Sequence, residues 1–111
     1  MKDQVEVPKP FSTLIDAQNR QDSQDFTRNF TLHAHVRDES KDYFGHAAIR
    51  AWNQSTNEKY HTHLRPLQLT KKGRKWEMKV EVSGTFDGSP IALNYYLELE
   101  DGKISDLDIR G

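Results

Sequence analysis

A chain of 111 residues, of which 34% are apolar, supports one small core and leaves no room for two domains. Its 16 basic and 17 acidic residues are interspersed and nearly cancel, to a net charge of −1, so no field draws the protein to nucleic acid or to an anionic membrane. Cysteine is absent, which excludes disulfides, thiolate metal sites and cysteine nucleophiles.

The opening stretch MKDQVEVPKP holds no apolar run, and no later segment approaches the roughly 18 apolar residues of a membrane helix. A soluble cytoplasmic protein is expected, with residues 1–9 as an N-terminal extension and residues 10–111 as a single domain. Pro10 suits a first helical turn, and Phe11, Leu14, Ile15 and Ala17 or Gln18 follow at helical spacing. Ser23 is a candidate cap for a short second helix carrying Phe26 and Phe30 on one face. From Phe30 the period changes to two: Phe30, Leu32, Ala34 and Val36 take one side of a strand, and Thr31, His33, His35 and Arg37 the other. DESKD turns the chain, Tyr43-Phe44 is briefly extended, and after Gly45 the residues Ala48, Ile49 and Trp52 form a helical stripe that ends in the polar NQSTNEK.

The remainder reads as sheet. YHTHLRPLQL is a strand interrupted by Pro66, which belongs at an edge or a bulge because it donates no ladder hydrogen bond. KKGRK is a solvated hairpin turn rather than a nucleic-acid patch. Trp76, Met78, Val80 and Val82 then alternate with charged residues in the cleanest half-buried strand. After the turn DGSP, Ile91, Leu93, Tyr95, Leu97 and Leu99 alternate inward, and EDGK leads into a last strand with Ser105, Leu107 and Ile109 on one face. Helices first and an antiparallel meander after them imply an α+β fold with helices on one face of a curved sheet.

His33 and His35 share a strand face, as two imidazoles on one metal ion would require. Because Leu32, Ala34 and Val36 claim the core side, the pair is read as solvent-facing or interfacial, and neither a metal nor a cofactor is expected. Pro66 leaves the direction of His61 and His63 open, with His63 a candidate for a cavity wall. His46, just after Gly45, reads as a helix-start residue.

Asp38 is in phase with Val36 and so points inward at the strand end. A carboxylate against an apolar cavity has its pKa raised by desolvation, which suits a general base; capping of the turn through the Ser40 or Lys41 backbone is an equal reading. Tyr95 is the candidate neutral hydrogen-bond donor inside. Leu14, Phe30, Trp52, Met78, Val80, Val82 and Leu97, with His63, are the expected pocket wall, around a small hydrophobic molecule.

The stretches GHAAIRAW at 45–52 and VSGTFDGSPIALNYYLELEDGKI at 82–104, together with the element order, resemble the SnoaL-like branch of the ketosteroid-isomerase and nuclear-transport-factor-2-like superfamily, over about residues 10–111. The resemblance implies a cystatin-like cone: three N-terminal helices packed on a curved antiparallel sheet, with a homodimer formed through that sheet. Members of this fold include isomerases, cyclases, dehydratases, epoxide hydrolases and binding proteins. In the steroid isomerases the base is an aspartate just after the first strand, the place held here by Asp38. Their oxyanion is held by a tyrosine on the first helix and a protonated acid on a late strand, where this chain has Leu14 and Leu97. With both donors gone, steroid isomerisation by that mechanism is not expected. Two functions lead: acid/base chemistry through Asp38 of isomerase, cyclase or lyase type, and a binding or dimerisation module with no chemistry; a histidine-dependent metal protein is the third and weaker alternative.

Overall fold

A computed structural model describes residues 5–111; the first four residues of the expected N-terminal extension lie outside the described residues. Its elements are α1 (Phe11–Asn19), α2 (Ser23–Thr27), β1 (Phe30–Asp38), β2 (Lys41–Phe44), α3 (Gly45–Tyr60), β3 (His63–Lys72), β4 (Lys75–Ser83), β5 (Ile91–Glu100) and β6 (Lys103–Arg110). The third helix therefore follows the first two strands and is not N-terminal with the others.

Local chemistry explains the boundaries. Asp22, not Ser23, caps α2: its side chain accepts the Asp25 amide at 3.0 Å, while the Ser23 hydroxyl donates to Asn53 Oδ1 at 2.7 Å. α3 runs on through the polar NQSTNEK to Tyr60, so Tyr60 is helical and the next strand starts only at His63. The reason is that Asn53 and Asn57, one and two turns beyond Ile49, are buried like the isoleucine, so the inward stripe continues in polar residues. His61 ends the helix in the left-handed region, at φ 51°, and its amide donates to the Asn57 carbonyl.

The six strands form one sheet in the order β2-β1-β6-β5-β4-β3. Hairpin neighbours are antiparallel, but β1 lies parallel to β6, so the sheet is mixed where an antiparallel one was expected. Alternation reports which face a residue takes and carries no information about which strand lies beside it. Register shifts interrupt β1 between Phe30 and His35, β3 between Pro66 and Gln68, and β5 between Glu98 and Leu99, and such irregularities bend a sheet. Pro66 thus sits at a bulge on an edge strand. The β1 irregularity also corrects the reading of Leu32, which is 66% exposed instead of joining Phe30, Ala34 and Val36 inside.

All three helices cover the inner face. Phe11 meets Trp76 edge-on at 5.3 Å between ring centroids, and Phe26 meets Phe30 at 5.5 Å. One inner rung, Val36–Leu107–Leu97–Trp76, crosses four strands and forms the floor of the core. The strand β4 and the β4–β5 loop then meet the end of α3. There the Thr85 amide donates to the Tyr60 carbonyl at 2.7 Å, and a Cβ at Gly84 would overlap that same carbonyl oxygen.

On the outer face His35 is held on three sides. Its cross-strand neighbours are Asp106 and Phe44; Nδ1 lies 2.8 Å from Asp106 Oδ1, Nε2 lies 2.7 Å from Asp42 Oδ1, and the ring stacks on Phe44 at 4.7 Å. Both nitrogens facing carboxylates calls for the imidazolium, which alone donates from both. Partial burial opposes the charge, yet the two carboxylates outweigh it and hold His35 above the usual histidine range.

Two outcomes are expected. Gly84→Ala, which forces backbone apart, lowers stability by about 1–3 kcal/mol in denaturant titration. Since the folded pKa of His35 lies above its unfolded value near 6.5, its contribution is complete below that pH and is lost as pH rises through the folded value. Wild-type stability therefore falls relative to His35→Gln as pH rises above about 6.5, and parallel curves for the two proteins would refute the charged clamp.

Candidate functional site

Next to the Val36 rung, two residues further along each strand, runs a second inner rung: Asp38 on β1, Ile109 on β6, Tyr95 on β5 and Met78 on β4. Asp38 and Tyr95 are two strands apart, about 10 Å between backbones at the usual strand spacing, and share a face because they share a pleat. Where the helices stop covering this rung, a cleft of about 400 Å3 opens between the sheet and α3. Asp38, Ile109, Tyr95, Leu93 and Val82 line it from the sheet, Trp52, Asn53, Thr56 and Tyr60 from α3, Gln18 from α1, Phe26 from α2, and Phe86 from the β4–β5 loop.

The sequence-predicted residues divide between the cleft and the solid core. Asp38, Tyr95, Trp52 and Val82 meet at the cleft. Leu14, Phe30, Met78, Val80 and Leu97 are not wall residues: each is fully buried, their side chains packed in the hydrophobic core. His63 is also corrected, since it is exposed at the start of β3, where its Nδ1 lies 2.9 Å from the His61 carbonyl. His33 is exposed as well, and His46 ties α3 to β1 through Nε2 and the Phe30 carbonyl at 2.9 Å. Among the described residues no group of three His, Cys, Asp or Glu side chains is placed to hold a metal ion.

The polar side of the cleft was missed by alternation. Gln18 Nε2 donates to Asn57 Oδ1 at 2.7 Å and to the Thr62 carbonyl at 2.8 Å, and its Oε1 accepts from Asn53 Nδ2 at 2.7 Å. Asn57 Nδ2 in turn donates to Asn53 Oδ1 at 3.1 Å. These buried amides satisfy one another, and so a polar wall stands without unpaired groups among them. The only sequence signal was spacing: Trp52, Asn53, Thr56, Asn57 and Tyr60 continue the Ile49 stripe at helical intervals.

Asp38 sits half-buried at the mouth of a two-residue turn, with Glu39 at φ 51° and Ser40 at φ 65°. Two successive left-handed residues match a type I′ turn, yet neither is glycine or asparagine, so the turn stores strain of order 1–3 kcal/mol per residue. Asp38 Oδ2 accepts the Trp52 indole N–H at 3.2 Å, and no hydrogen bond among the described residues joins its side chain to the Ser40 or Lys41 backbone. Burial pushes the Asp38 carboxyl above its usual range. The Trp52 N–H opposes that shift, the Glu39 charge adds to it and the Glu39 amide resists it. Burial, reinforced by the charge of Asp38, likewise pushes the Tyr95 hydroxyl well up, so it stays a neutral donor at any physiological pH.

A solved protein from Sinorhizobium meliloti, provisionally designated a polyketide cyclase, is 31% identical to this chain, with a TM-score of 0.89 over 94% of this chain and 95% of that one. The chain belongs to the SnoaL-like branch of the ketosteroid-isomerase and nuclear-transport-factor-2-like superfamily. More distant structures share the fold with the SnoaL-like chain. One is an uncharacterised cystatin-fold protein from Novosphingobium aromaticivorans, at 19% identity, TM-score 0.76 and coverage of 91% and 94%. Another is a ketosteroid-isomerase-like protein from Catenulispora acidiphila in complex with trimethylamine, at 14%, 0.84, and 96% and 87%. No protein-family model and no curated sequence matches this SnoaL-like chain. Among its described residues no helix is long and apolar enough to cross a membrane.

A carboxyl whose folded pKa is raised costs stability as pH rises from its unfolded value to its folded one, because the folded state holds the proton more tightly than the unfolded one. Asp38→Asn should therefore melt at a higher temperature than the wild type at pH 7, with the difference closing as pH falls to the acid range. A lower melting temperature at pH 7 would show that the charged carboxylate is a net support of the fold.

Proposed function

We propose that this SnoaL-like protein is a cofactor-independent acid/base catalyst of cyclase type, acting on a small, largely hydrophobic compound with more than one carbonyl group. The observation that carries the reading is the single rung that sets a desolvated carboxylate and a neutral hydroxyl on one wall of an otherwise mostly apolar cleft. The designation of the Sinorhizobium relative supports the choice of cyclase.

In this reading the Asp38 carboxylate takes a proton from carbon next to a carbonyl, breaking the C–H bond and forming the carboxylic acid. The Tyr95 O–H donates to the oxygen on which the enolate charge collects. The enolate carbon then attacks a second carbonyl of the same molecule, making the ring C–C bond, and the new alkoxide takes the proton back from Asp38. Protons balance and no oxidant is needed. Leu14 and Leu97, at the places of the isomerases' oxyanion donors, are sealed in the core, so one hydroxyl stands where those enzymes use two donors. That difference favours a substrate whose enolate is already stabilised by a second carbonyl. It is also what supports the competing reading, a binding module with the same cleft and no chemistry.

The test is exchange of α-protons of an aromatic 1,3-dicarbonyl compound in D2O, followed by NMR. Catalysed exchange is expected, falling roughly 10²–10⁴-fold in Asp38→Asn and about 10²-fold or more in Tyr95→Phe. Binding of the compound with exchange no faster than in carboxylate buffer would establish the non-catalytic module instead.

A further inference from the structure

We propose that Trp52 is a positioning residue: it grips one oxygen of Asp38 from inside the protein and leaves the other for the ligand. This rests on the reading of Asp38 as the base. The indole is unusually well fixed for a residue beside a cleft. It lies 6.0 Å from the Phe26 ring and 5.7 Å from the Tyr43 ring, centroid to centroid, so that α2, α3 and β2 all contribute to its seat. From that seat Nε1 reaches Asp38 Oδ2 at 3.2 Å. Oδ1 has no side-chain donor among the described residues. A carboxylate at a strand end otherwise turns freely about its last bond, and the grip removes that freedom before any ligand arrives.

The location matters as much as the bond. A second, more polar cleft of about 620 Å3 runs along α3 from Ala48 to Tyr60, lined also by Lys41 and Tyr43, and it shares Asp38, Glu39, Trp52, Thr56 and Tyr60 with the first. Trp52 and Asp38 thus form the partition between a mostly apolar chamber and a wetter one. Trp52 lines both chambers and, beside the Glu39 amide, is the side-chain donor to the carboxylate. Desolvation by the ring favours the neutral acid and the N–H favours the anion, and the balance between them sets the pH at which the base is ready.

The chain contains two tryptophans, which makes the interaction directly visible. In 1H–15N spectra of the 15N-labelled full-length protein, the Trp52 indole cross-peak should move with pH at the midpoint of the Asp38 carboxyl carbon, whereas the Trp76 indole, beside Phe11 and Lys71, should not follow it. The other charged or titratable groups lining the clefts on either side of this pair are Glu39, Lys41, Tyr43, Lys59, Tyr60, Tyr95 and Arg110. The control against them is Asp38→Asn, in which the Trp52 peak should lose that titration. Trp52→Phe keeps an aromatic ring between Phe26 and Tyr43 and deletes only the donor; the Asp38 midpoint should rise by about half a pH unit or more, and the pH profile of α-proton exchange should move with it. A Trp52 peak that ignores the Asp38 titration, or an unmoved midpoint in a folded Trp52→Phe, overturns the proposal. A titrating indole in a wild type that catalyses no exchange keeps the grip and removes the base it was meant to serve.

Discussion

Because neighbouring strands share one pleat, Asp38, Ile109, Tyr95 and Met78 all project from the same face, and the content of the cleft follows from that rung. The parallel pairing of β1 with β6 is what puts Asp38 into it. A shift of β1 by one residue would turn the carboxylate outward and bring Arg37 in. In the deeper rung, Val36–Leu107–Leu97–Trp76, the first three residues are fully buried and Trp76 packs half-buried against the core; the next rung faces the cleft through Asp38, Ile109 and Tyr95. Core and cavity are therefore two consecutive rungs of one sheet, separated by where the helices end.

Three effects meet on the Asp38 carboxyl. The I′ turn with non-glycine residues holds the strand end at a cost, the cavity withholds solvent from the charge, and the indole returns a single hydrogen bond. The outer face treats charge in the opposite way. His35 between Asp42 and Asp106 is stabilised as a cation by direct partners at the surface. One sheet thus carries a clamp that favours an ion on its outer side and a pocket that disfavours one on its inner side.

Much of this was legible in the sequence. Alternation in 76–82 and 91–99 identified Met78, Val80, Tyr95 and Leu97 as inward, Pro66 announced its bulge, and the phase of Asp38 with Val36 put it on the inner face. What alternation could not tell is whether an inward residue meets another side chain or a void. Val80 and Val82 look alike in the sequence, yet one is sealed and the other lines the cleft. Leu32 was misread because a register irregularity leaves no mark on a hydrophobic pattern, and α3 was read short because its inward face turns from isoleucine to asparagine. The parallel β1–β6 pair joins residues more than seventy positions apart, beyond the reach of any local pattern.

The amide wall built by Gln18, Asn53 and Asn57 has a consequence for how this cavity can diversify. Each carboxamide completes hydrogen bonds of the others, so exchanging one for an aliphatic side chain leaves at least one buried polar group short of a partner, at a cost of about 1–3 kcal/mol. That side of the chamber is evolvable only through concerted steps, whereas Phe86, Ile91 and Leu93 opposite can drift singly. Changes in the shape of this cavity in descendants of the protein should accumulate on the loop and β5, with the carboxamides inherited as a block.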